Sequence, residues 1–392
     1  MKRSMAFVVL CLGFSAAVHA ASEWVYIGTR GTEPHQGIYA ASFDNSTGQL
    51  TLLGQQAELQ NAAWLVVHPG LSAVFSVANS AGGLAAESDI HSFAIDKASG
   101  RLKPVNVAGA GGSDATYLWL DQASNTLFVA SHNNGHVTAL PVQADGSIGK
   151  VVSDQKTAGT ALHPKQNRPQ PHCVALDPAT HRYLLNSDVG ADRINIFRFD
   201  PATRALTPAK TPFVSVPPGS GARHIAFAPN GRFLYLVSEL TAEIRAYSWD
   251  AAQEELREIQ AVSTYPESYA GDIPASAAGI AAVSGTRGGS EIAVSRDGRH
   301  VYASVRGDQD TLVVYSVDGR SGRLQEVQRL ASGGKSPRSF EFDSTGRWML
   351  VAHELSSDVA VFRVDPASGR LAATGQSLPI PNAAVFAFYS AR

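Results

Sequence analysis

The sequence predicts an all-β protein, a seven-bladed β-propeller closed by pairing its C-terminal strand with its N-terminal strands. Six segments repeat one plan, in which two apolar strands flank a turn built on Pro, Asp or Gly. A polar residue lies eleven residues after the first residue of each turn, and this offset is the same in all six segments. A seventh copy is divided between the two ends of the chain.

The repeat has the length of a propeller blade. The six turns start at His68, Asp121, Asp177, Ala228, Ser295 and Asp343. Their starts are 53, 56, 51, 67 and 48 residues apart, which suits four short strands and their loops. Third strands such as INIFRFD and VAVFRVD alternate apolar and polar positions, as half-buried strands do.

The split copy predicts how the ring closes. VYIGTRG from Val25 is similar to VYASVRG from Val301, and GIYAASFD and LTLLG follow it. The N-terminus therefore supplies the second, third and fourth strands of a blade. The missing first strand is AVFAFYS at residues 384–390, and its pairing with the N-terminal strands would remove an open sheet edge. The alternative fold, a pair of β-sandwiches, does not explain the split copy.

The N-terminus has the pattern of a secretory signal peptide. Lys2 and Arg3 precede an apolar run, and small residues surround a cut before Ala21. We therefore predict a signal peptide over residues 1–20, a propeller domain over 21–392 and a periplasmic location. After its removal no apolar run approaches the ~18 residues of a membrane span. The formal net charge of −2 argues against a nucleic-acid or anionic-membrane partner.

Cysteine usage is sparse for an exported protein. Cys173 is the one thiol that remains after signal cleavage, so no internal disulfide can form. Stability must then come from core burial and ring closure. We expect the domain to be a monomer.

The propeller geometry converts two sequence columns into one candidate site. The innermost strand of a blade starts at the face to which the second strand returns, so both columns face one mouth of the central channel. The first-strand column contains Ala63, Thr116, His172, Arg223, Ser290 and Arg338. The second-strand column contains Arg30, Asn79, His132, Asp188, Glu239, Arg306 and Glu354. The loops 80–89, 157–170 and 262–289 lie on the same face, which favours it as a binding site.

Four segments of these columns resemble a known family. They are PQPHCVALDP around His172, GARHIAFAPNGRFLYLVSEL from Gly221, SEIAVSRDGRHVYASVRG from Ser290 and SPRSFEFDSTGRWMLVAHE from Ser336. These segments are similar to the seven-bladed propeller lactonases, which include 6-phosphogluconolactonases and a carboxymuconate-lactonising enzyme. The resemblance implies a lactone-hydrolysing site formed by His172, Arg223, Glu239 and Arg306. GARH and SEL depart from the family's Gly-Pro-Arg-His and Asn-Glu-Leu, which bears on the identity of the substrate.

The residue types suit lactone hydrolysis on chemical grounds as well. The reaction needs an activated water and a cation where negative charge develops on the carbonyl oxygen. His172 is a candidate general base, and Glu239 either orients it or acts as the base itself. Arg223 and Arg306 are candidates to hold the oxyanion or the product carboxylate. We expect substrate-binding roles for Arg338, Arg30, Asp188, His132, Asn79 and Glu354. The structural alternative is that these charges only satisfy one another.

Other chemistries fit these residues less well. Strand alternation places Cys173 and His224 away from the channel, as a buried thiol and a hydrogen-bonded core histidine. No Gly-x-Ser-x-Gly elbow occurs in a strand-to-helix context. A divalent cation held by Asn79, His132, Asp188, Glu239 and Glu354 is a weaker alternative, because the neighbouring arginines disfavour a cation. We therefore predict no cofactor and no metal.

The predicted export narrows the substrate. The 6-phosphate ester is an intracellular metabolite, whereas glucono-1,5-lactone forms outside the cytoplasm of bacteria that oxidise glucose there. We expect hydrolysis of an unphosphorylated aldonolactone, a small-molecule sugar lactone, to its aldonate. The alternatives are 6-phosphogluconolactone hydrolysis, a muconate-type lactonising reaction, or a non-catalytic propeller that binds a protein or a glycan.

Overall fold

A computed structural model describes residues 22–79, 86–266 and 288–390. The predicted signal peptide, residues 1–20, and parts of two of the mouth loops, 80–85 and 267–287, lie outside this range. Within it, 28 strands form seven four-stranded antiparallel sheets. No helix in the described ranges is long and apolar enough to cross a membrane.

The strands are numbered in chain order. The first fourteen are β1 (Ser22–Thr29), β2 (Gly37–Asp44), β3 (Gln49–Glu58), β4 (Leu65–His68), β5 (Ala73–Ala78), β6 (Glu87–Ile95), β7 (Leu102–Ser113), β8 (Ala115–Asp121), β9 (Thr126–Ser131), β10 (His136–Pro141), β11 (Ser153–Lys156), β12 (Pro171–Leu176), β13 (Tyr183–Asp188) and β14 (Arg193–Asp200). The other fourteen are β15 (Ala205–Ser215), β16 (Ala222–Phe227), β17 (Phe233–Ser238), β18 (Glu243–Asp250), β19 (Glu255–Ser263), β20 (Gly288–Val294), β21 (His300–Arg306), β22 (Thr311–Val317), β23 (Leu324–Ala331), β24 (Pro337–Phe342), β25 (Trp348–His353), β26 (Asp358–Val364), β27 (Leu371–Pro379) and β28 (Ala383–Tyr389).

Each sheet is one blade, and the blades form a ring. Blade 1 has the strand order β28-β1-β2-β3, and blades 2 to 7 take the remaining strands four at a time in chain order. The innermost strands β28, β4, β8, β12, β16, β20 and β24 each contact the innermost strand of both neighbouring blades. The prediction of a seven-bladed propeller is confirmed, and so is its closure by the C-terminal strand.

The closing strand β28 is held by pairing with β1 and by packing against both neighbouring blades. It pairs with β1 from Trp24 opposite Tyr389 to Thr29 opposite Ala383. Its side chains are divided between two cores, with Phe386 packed toward blade 7 and Val385 toward blade 2. Ring closure in this protein therefore depends on burial and on backbone hydrogen bonds.

Second strands and outer turns lock neighbouring blades together. The Tyr26 hydroxyl donates to the Gly100 carbonyl oxygen at 2.9 Å, while the Trp24 ring covers the same turn. Gly100 has a φ of 68°, and a Cβ there would lie 2.6 Å from the Trp24 ring. Tyr235 and Tyr302 make the equivalent bonds to Gly322 and Gly369. These contacts hold the blades in a fixed rotation and so fix the mouth.

Removal of β28 should prevent folding of the ring. A chain that ends at Asn382 would leave the β1 edge unpaired and the two cores open. We expect it to lack a cooperative thermal transition by circular dichroism and to elute as aggregate. A chain that ends at Ser390 keeps β28 and serves as the control. Cooperative unfolding of the shorter chain at the control's temperature would contradict this account of closure.

Candidate active site at the channel mouth

A β-bulge near the start of the innermost strand presents the first-strand column to the mouth. In blade 4, Pro171 pairs with Asp188 and Cys173 with Ser187, so His172 is the extra residue. Arg223, Thr116 and Arg338 are the extra residues of equivalent bulges, and Ser290 lies in another. A bulge interrupts strict alternation and re-aims side chains. The column residues therefore reach the channel mouth together.

The second-strand column lies where the second strands end. His132, Glu239 and Glu354 come directly after β9, β17 and β25, and Arg306 ends β21. The backbone amides of His132, Glu239 and Glu354 donate to the carbonyl oxygens of Asp114, Gly221 and Ser336, which precede the innermost strands of the same blades. This hydrogen bond holds the two columns beside each other.

Arg223, Glu239 and Arg306 form the first ion-paired triad. Arg223 Nε donates to Glu239 Oε2 at 3.0 Å, and Arg306 Nη2 lies 3.6 Å from the same oxygen. Burial alone would raise the pKa of Glu239, but the charges of Arg306 and Arg223 outweigh it and lower that pKa to about 2. Glu239 is therefore a carboxylate at neutral pH.

Arg223 is held by further hydrogen bonds in addition to its ion pair with Glu239. Its side chain is fully buried, and Nη1 donates to the Ser290 carbonyl oxygen and to Nε2 of His224, 3.2 Å away. Since Nε2 accepts, Nδ1 of His224 carries the proton and donates to Glu291 Oε1 at 2.8 Å. Burial, and then the charge of Arg306, lowers the pKa of Arg223 to about 10, so the guanidinium stays charged at neutral pH.

The prediction that His224 points into the blade was wrong. Its ring centroid lies 5.4 Å from that of Trp64 and 5.2 Å from that of Tyr117, which belong to blades 2 and 3. A side chain of blade 5 meets them only across the channel axis. The bulge at Arg223 cancels the alternation on which the prediction rested. The hydrogen-bonded, buried state expected of His224 is confirmed.

Cys173 is a buried thiol, as predicted. It has no exposed surface, and burial raises its pKa to about 12. Its Sγ lies 3.8 Å from the Ile225 carbonyl oxygen. A thiol in this state does not act as a nucleophile.

Arg338, Glu354 and Arg30 form a second triad with the same construction. Arg30 Nη1 donates to Glu354 Oε1 at 2.9 Å, and Arg338 Nη1 lies 3.5 Å from Oε2. In both triads a bulge arginine precedes its glutamate by 16 residues. The third member then comes from the end of the second strand of the next blade, and blade 1 follows blade 7 around the ring. The two triads are therefore copies two blades apart.

Two histidines line the mouth beside the triads. His132 Nδ1 lies 3.4 Å from Asp114 Oδ2, and its ring centroid is 5.7 Å from that of His172. The His172 ring lies 5.0 Å from the His224 ring. Burial, followed by the charge of Arg223, holds the pKa of His172 well below its usual range. His172 is therefore neutral at neutral pH, and its Nδ1 has no hydrogen-bond partner among the described residues.

Both carboxylate oxygens of Asp188 already accept hydrogen bonds from the protein. It has no exposed surface, and Oδ1 accepts from the backbone amides of Gln170, Gly190 and Ala191. Oδ2 accepts from Thr157 Oγ1 at 3.0 Å. This geometry favours the structural alternative, in which Asp188 fastens the loop 157–170. Asn79 is half-buried beside residues 80–85, and a substrate contact there stays a prediction.

Sequence reasoning missed three parts of the site. They are Asp114, which pairs with His132, the Ser290 carbonyl oxygen, and Glu291 beneath His224. Asp114 stands two residues before Thr116 of the first-strand column, which is a usable signal. Glu291 carries no such signal, because alternation from Ser290 points it away from the axis.

The mouth is separated from a cavity deeper in the channel. This cavity of about 600 Å³ is lined by Trp64, Tyr117 and Glu291 at one end and by Phe227 and Phe342 toward the other. No member of either triad lines it. The rings of Trp64, Tyr117 and His224 therefore form a floor beneath the triads.

The carboxylates of the mouth already have partners within the protein. Glu239 and Glu354 each contact two guanidinium groups, and Asp188 is fully hydrogen bonded. Within the described ranges, no group of three or more His, Cys, Asp or Glu side chains is arranged to hold a metal ion. The donor set fits an anionic or hydroxylated ligand better than a cation.

Glu291→Gln should flatten the pH dependence of stability. Burial raises the pKa of Glu291 to about 8, whereas an unfolded glutamate ionises near 4.3. The native state thus holds an extra proton between these values, and stability falls as pH rises toward 8. Glutamine keeps the acceptor for His224 without this loss. We expect the variant to gain on the order of 2 kcal/mol over wild type between pH 5 and pH 8, by urea unfolding.

The control for that experiment is Glu33→Gln, which removes an exposed carboxylate. A difference between Glu291→Gln and wild type that stays constant from pH 5 to pH 8 would show that Glu291 is ionised in the native protein.

Comparisons with known proteins agree with this geometry. A 6-phosphogluconolactonase of Bacillus subtilis is 30% identical over 358 residues, 91% of this chain and 95% of that protein. The structure of the Pseudomonas aeruginosa periplasmic gluconolactonase PpgL is similar with a TM-score of 0.83 and 31% identity, covering 95% of this chain and 100% of that one. Residues 24–388 match the family described as lactonase, 7-bladed beta-propeller. The chain belongs to the seven-bladed β-propeller lactonase family.

Proposed function

We propose that this protein hydrolyses an unphosphorylated aldonolactone, such as glucono-1,5-lactone, to the aldonate in the periplasm. The observation that carries the proposal is the Arg223–Glu239–Arg306 triad, set beside the neutral imidazole of His172 at the channel mouth. The predicted signal peptide over residues 1–20 and the name of the similar periplasmic gluconolactonase support the location.

The two arginines of the first triad supply positive charge that stabilises the oxyanion formed during hydrolysis. Attack of water on the lactone carbonyl places negative charge on its oxygen. Arg306 Nε and Nη2 are buried and have no hydrogen-bond partner among the described residues, so their donor capacity is unused. Arg223 is held in place by three groups and costs no reorganisation when the charge appears. Both guanidinium groups then hold the carboxylate of the product.

We assign the general base to His172 rather than to Glu239. With a pKa of about 2, Glu239 is a weak base, and Arg223 already donates to the oxygen that would take the proton. His172 is neutral at neutral pH, which is the form that accepts a proton from water. Glu239 thus orients Arg223 and Arg306.

A second candidate is hydrolysis of the 6-phosphorylated lactone inside the cell. Four arginines at one mouth favour an anionic ligand, and several similar curated proteins carry the name 6-phosphogluconolactonase. The pairing of these arginines with Glu239 and Glu354 speaks against it, because half of their charge is already compensated.

Substitutions in the first triad should slow hydrolysis strongly. Arg223→Ala removes an oxyanion donor, and Glu239→Gln frees the arginines that it orients, so we expect kcat to fall by about 100-fold or more. The assay follows proton release from glucono-1,5-lactone at slightly acidic pH, where spontaneous hydrolysis is slow, with residues 21–392.

The surface pair Arg257 and Glu255 provides matched controls. Arg257→Ala and Glu255→Gln remove the same groups from an exposed ion pair and should leave the rate unchanged. A chelator should also leave the wild-type rate unchanged, since the proposed steps use no metal. Wild-type rates in Arg223→Ala and Glu239→Gln would overturn the proposed mechanism.

The rate should depend little on pH where an ordinary histidine would titrate. Because the pKa of His172 lies well below its usual range, its neutral form persists as pH is lowered. We expect kcat/KM to stay nearly constant from pH 7.5 to 5.5. A base with a pKa near 6.5 would lose about tenfold over that range. Such a loss in wild type would transfer the role of base to another group.

A further inference from the structure

We propose that the second triad binds the exocyclic end of the lactone, and that Glu354 makes this subsite select a hydroxyl group over a phosphate. This inference rests on the proposed function and names the chemistry of its substrate. It starts from the duplication of the Arg–Glu–Arg triad two blades apart, in which the second copy has one arginine, Arg30, partly exposed to solvent.

The two copies differ in how firmly they are held. In the first triad the Arg223 side chain is 2% exposed and is bound by Glu239, Ser290 and His224. The glutamates of the two triads are equally exposed, at 21%. The copies differ most in the third member, since the Arg30 side chain is 36% exposed and that of Arg306 is 7% exposed. A fixed, desolvated cation suits charge stabilisation during the reaction. A more exposed arginine can instead contact a substituent of the substrate when the substrate binds.

One ligand can touch both copies. Ser290 joins the two copies, because its carbonyl oxygen accepts from Arg223 of the first triad while its hydroxyl donates to the backbone carbonyl oxygen of Arg338 in the second at 2.6 Å. The second strand of blade 6, which ends at Arg306, also contacts the innermost strand of blade 7, which carries Arg338. A lactone carbonyl bound at Arg223 and Arg306 therefore directs the opposite end of the sugar ring toward Arg30 and Arg338.

The donors and acceptors of the second triad match a hydroxyl group. A hydroxyl both donates and accepts, so it can donate to a Glu354 oxygen while accepting from an arginine. A phosphate ester only accepts and carries nearly two negative charges, which Glu354 repels. The mouth as a whole has little charge to offer, because the four arginines face the carboxylates of Glu239, Glu354 and Asp114. Glu354 thus disfavours a phosphorylated substrate.

Glu354→Gln should reverse this selection. The variant keeps an acceptor for the hydroxyl and frees the charges of Arg30 and Arg338. We expect kcat/KM for the 6-phosphorylated lactone, divided by that for glucono-1,5-lactone, to rise by about tenfold or more. Arg30→Gln leaves Glu354 less compensated and should lower the same ratio. A merely structural ion pair between blades 7 and 1 would not move the ratio in opposite directions.

Glu239→Gln is the matched control, since it removes the carboxylate of the first triad. It should slow both lactones to a similar extent and leave their ratio within about twofold of wild type. Urea unfolding of all variants measures the contribution of the Arg30–Glu354 ion pair to stability separately from the ratio.

Calorimetric binding of the two products tests the subsite without catalysis. Wild type should bind gluconate at least as tightly as 6-phosphogluconate, and Glu354→Gln should shift this preference toward the phosphate. Unchanged ratios in both variants, or a wild-type preference for the phosphorylated ligand, would overturn the inference. Failure of wild type to hydrolyse either lactone would instead overturn the proposed function, and product binding would still decide the role of Glu354.

Discussion

One extra residue near the start of the innermost strand determines what the channel mouth presents. In an unbroken strand, neighbouring side chains alternate between the faces of the sheet. The bulge interrupts this order, so that Arg223 reaches the mouth while the adjacent His224 reaches the axis beneath it. The same bulge recurs in four other blades, at Thr116, His172, Ser290 and Arg338. The ring brings these residues together, and both arginine–glutamate–arginine triads depend on it.

Burial of Arg223 is tolerated because three neighbouring groups compensate for it. Moving a guanidinium out of water costs several kcal/mol unless excellent geometry repays it. Glu239 supplies a charge, the Ser290 carbonyl oxygen a dipole and His224 a lone pair. His224 can accept only in one tautomer, and Glu291 fixes that tautomer by accepting from Nδ1. The cation is thereby ready for a developing oxyanion before any substrate arrives.

The sequence predicts the ring and both columns because a repeat makes equivalent positions visible. A constant offset of eleven residues identified Glu239, Arg306 and Glu354, and a split copy identified the closing strand. Properties that depend on a single bulge or loop cannot be predicted from the repeat. The direction of His224, the capture of Asp188 by the loop 157–170 and the partnership of His132 with Asp114 all arise from local backbone geometry. The pairing of Arg30 with Glu354 joins residues 324 positions apart, and it becomes evident once the ring is closed.

Duplication of the triad also bears on turnover. Hydrolysis of a neutral lactone creates an anion in a site that must already stabilise negative charge. Four uncompensated guanidinium groups would bind this product more tightly than the substrate and would slow its release. Glu239 and Glu354 each lie between two arginines and limit that excess, since each adds a like charge close to the product carboxylate. The first triad can then supply donors for the transition state, while Glu354 in the second lowers the positive charge that the departing aldonate meets.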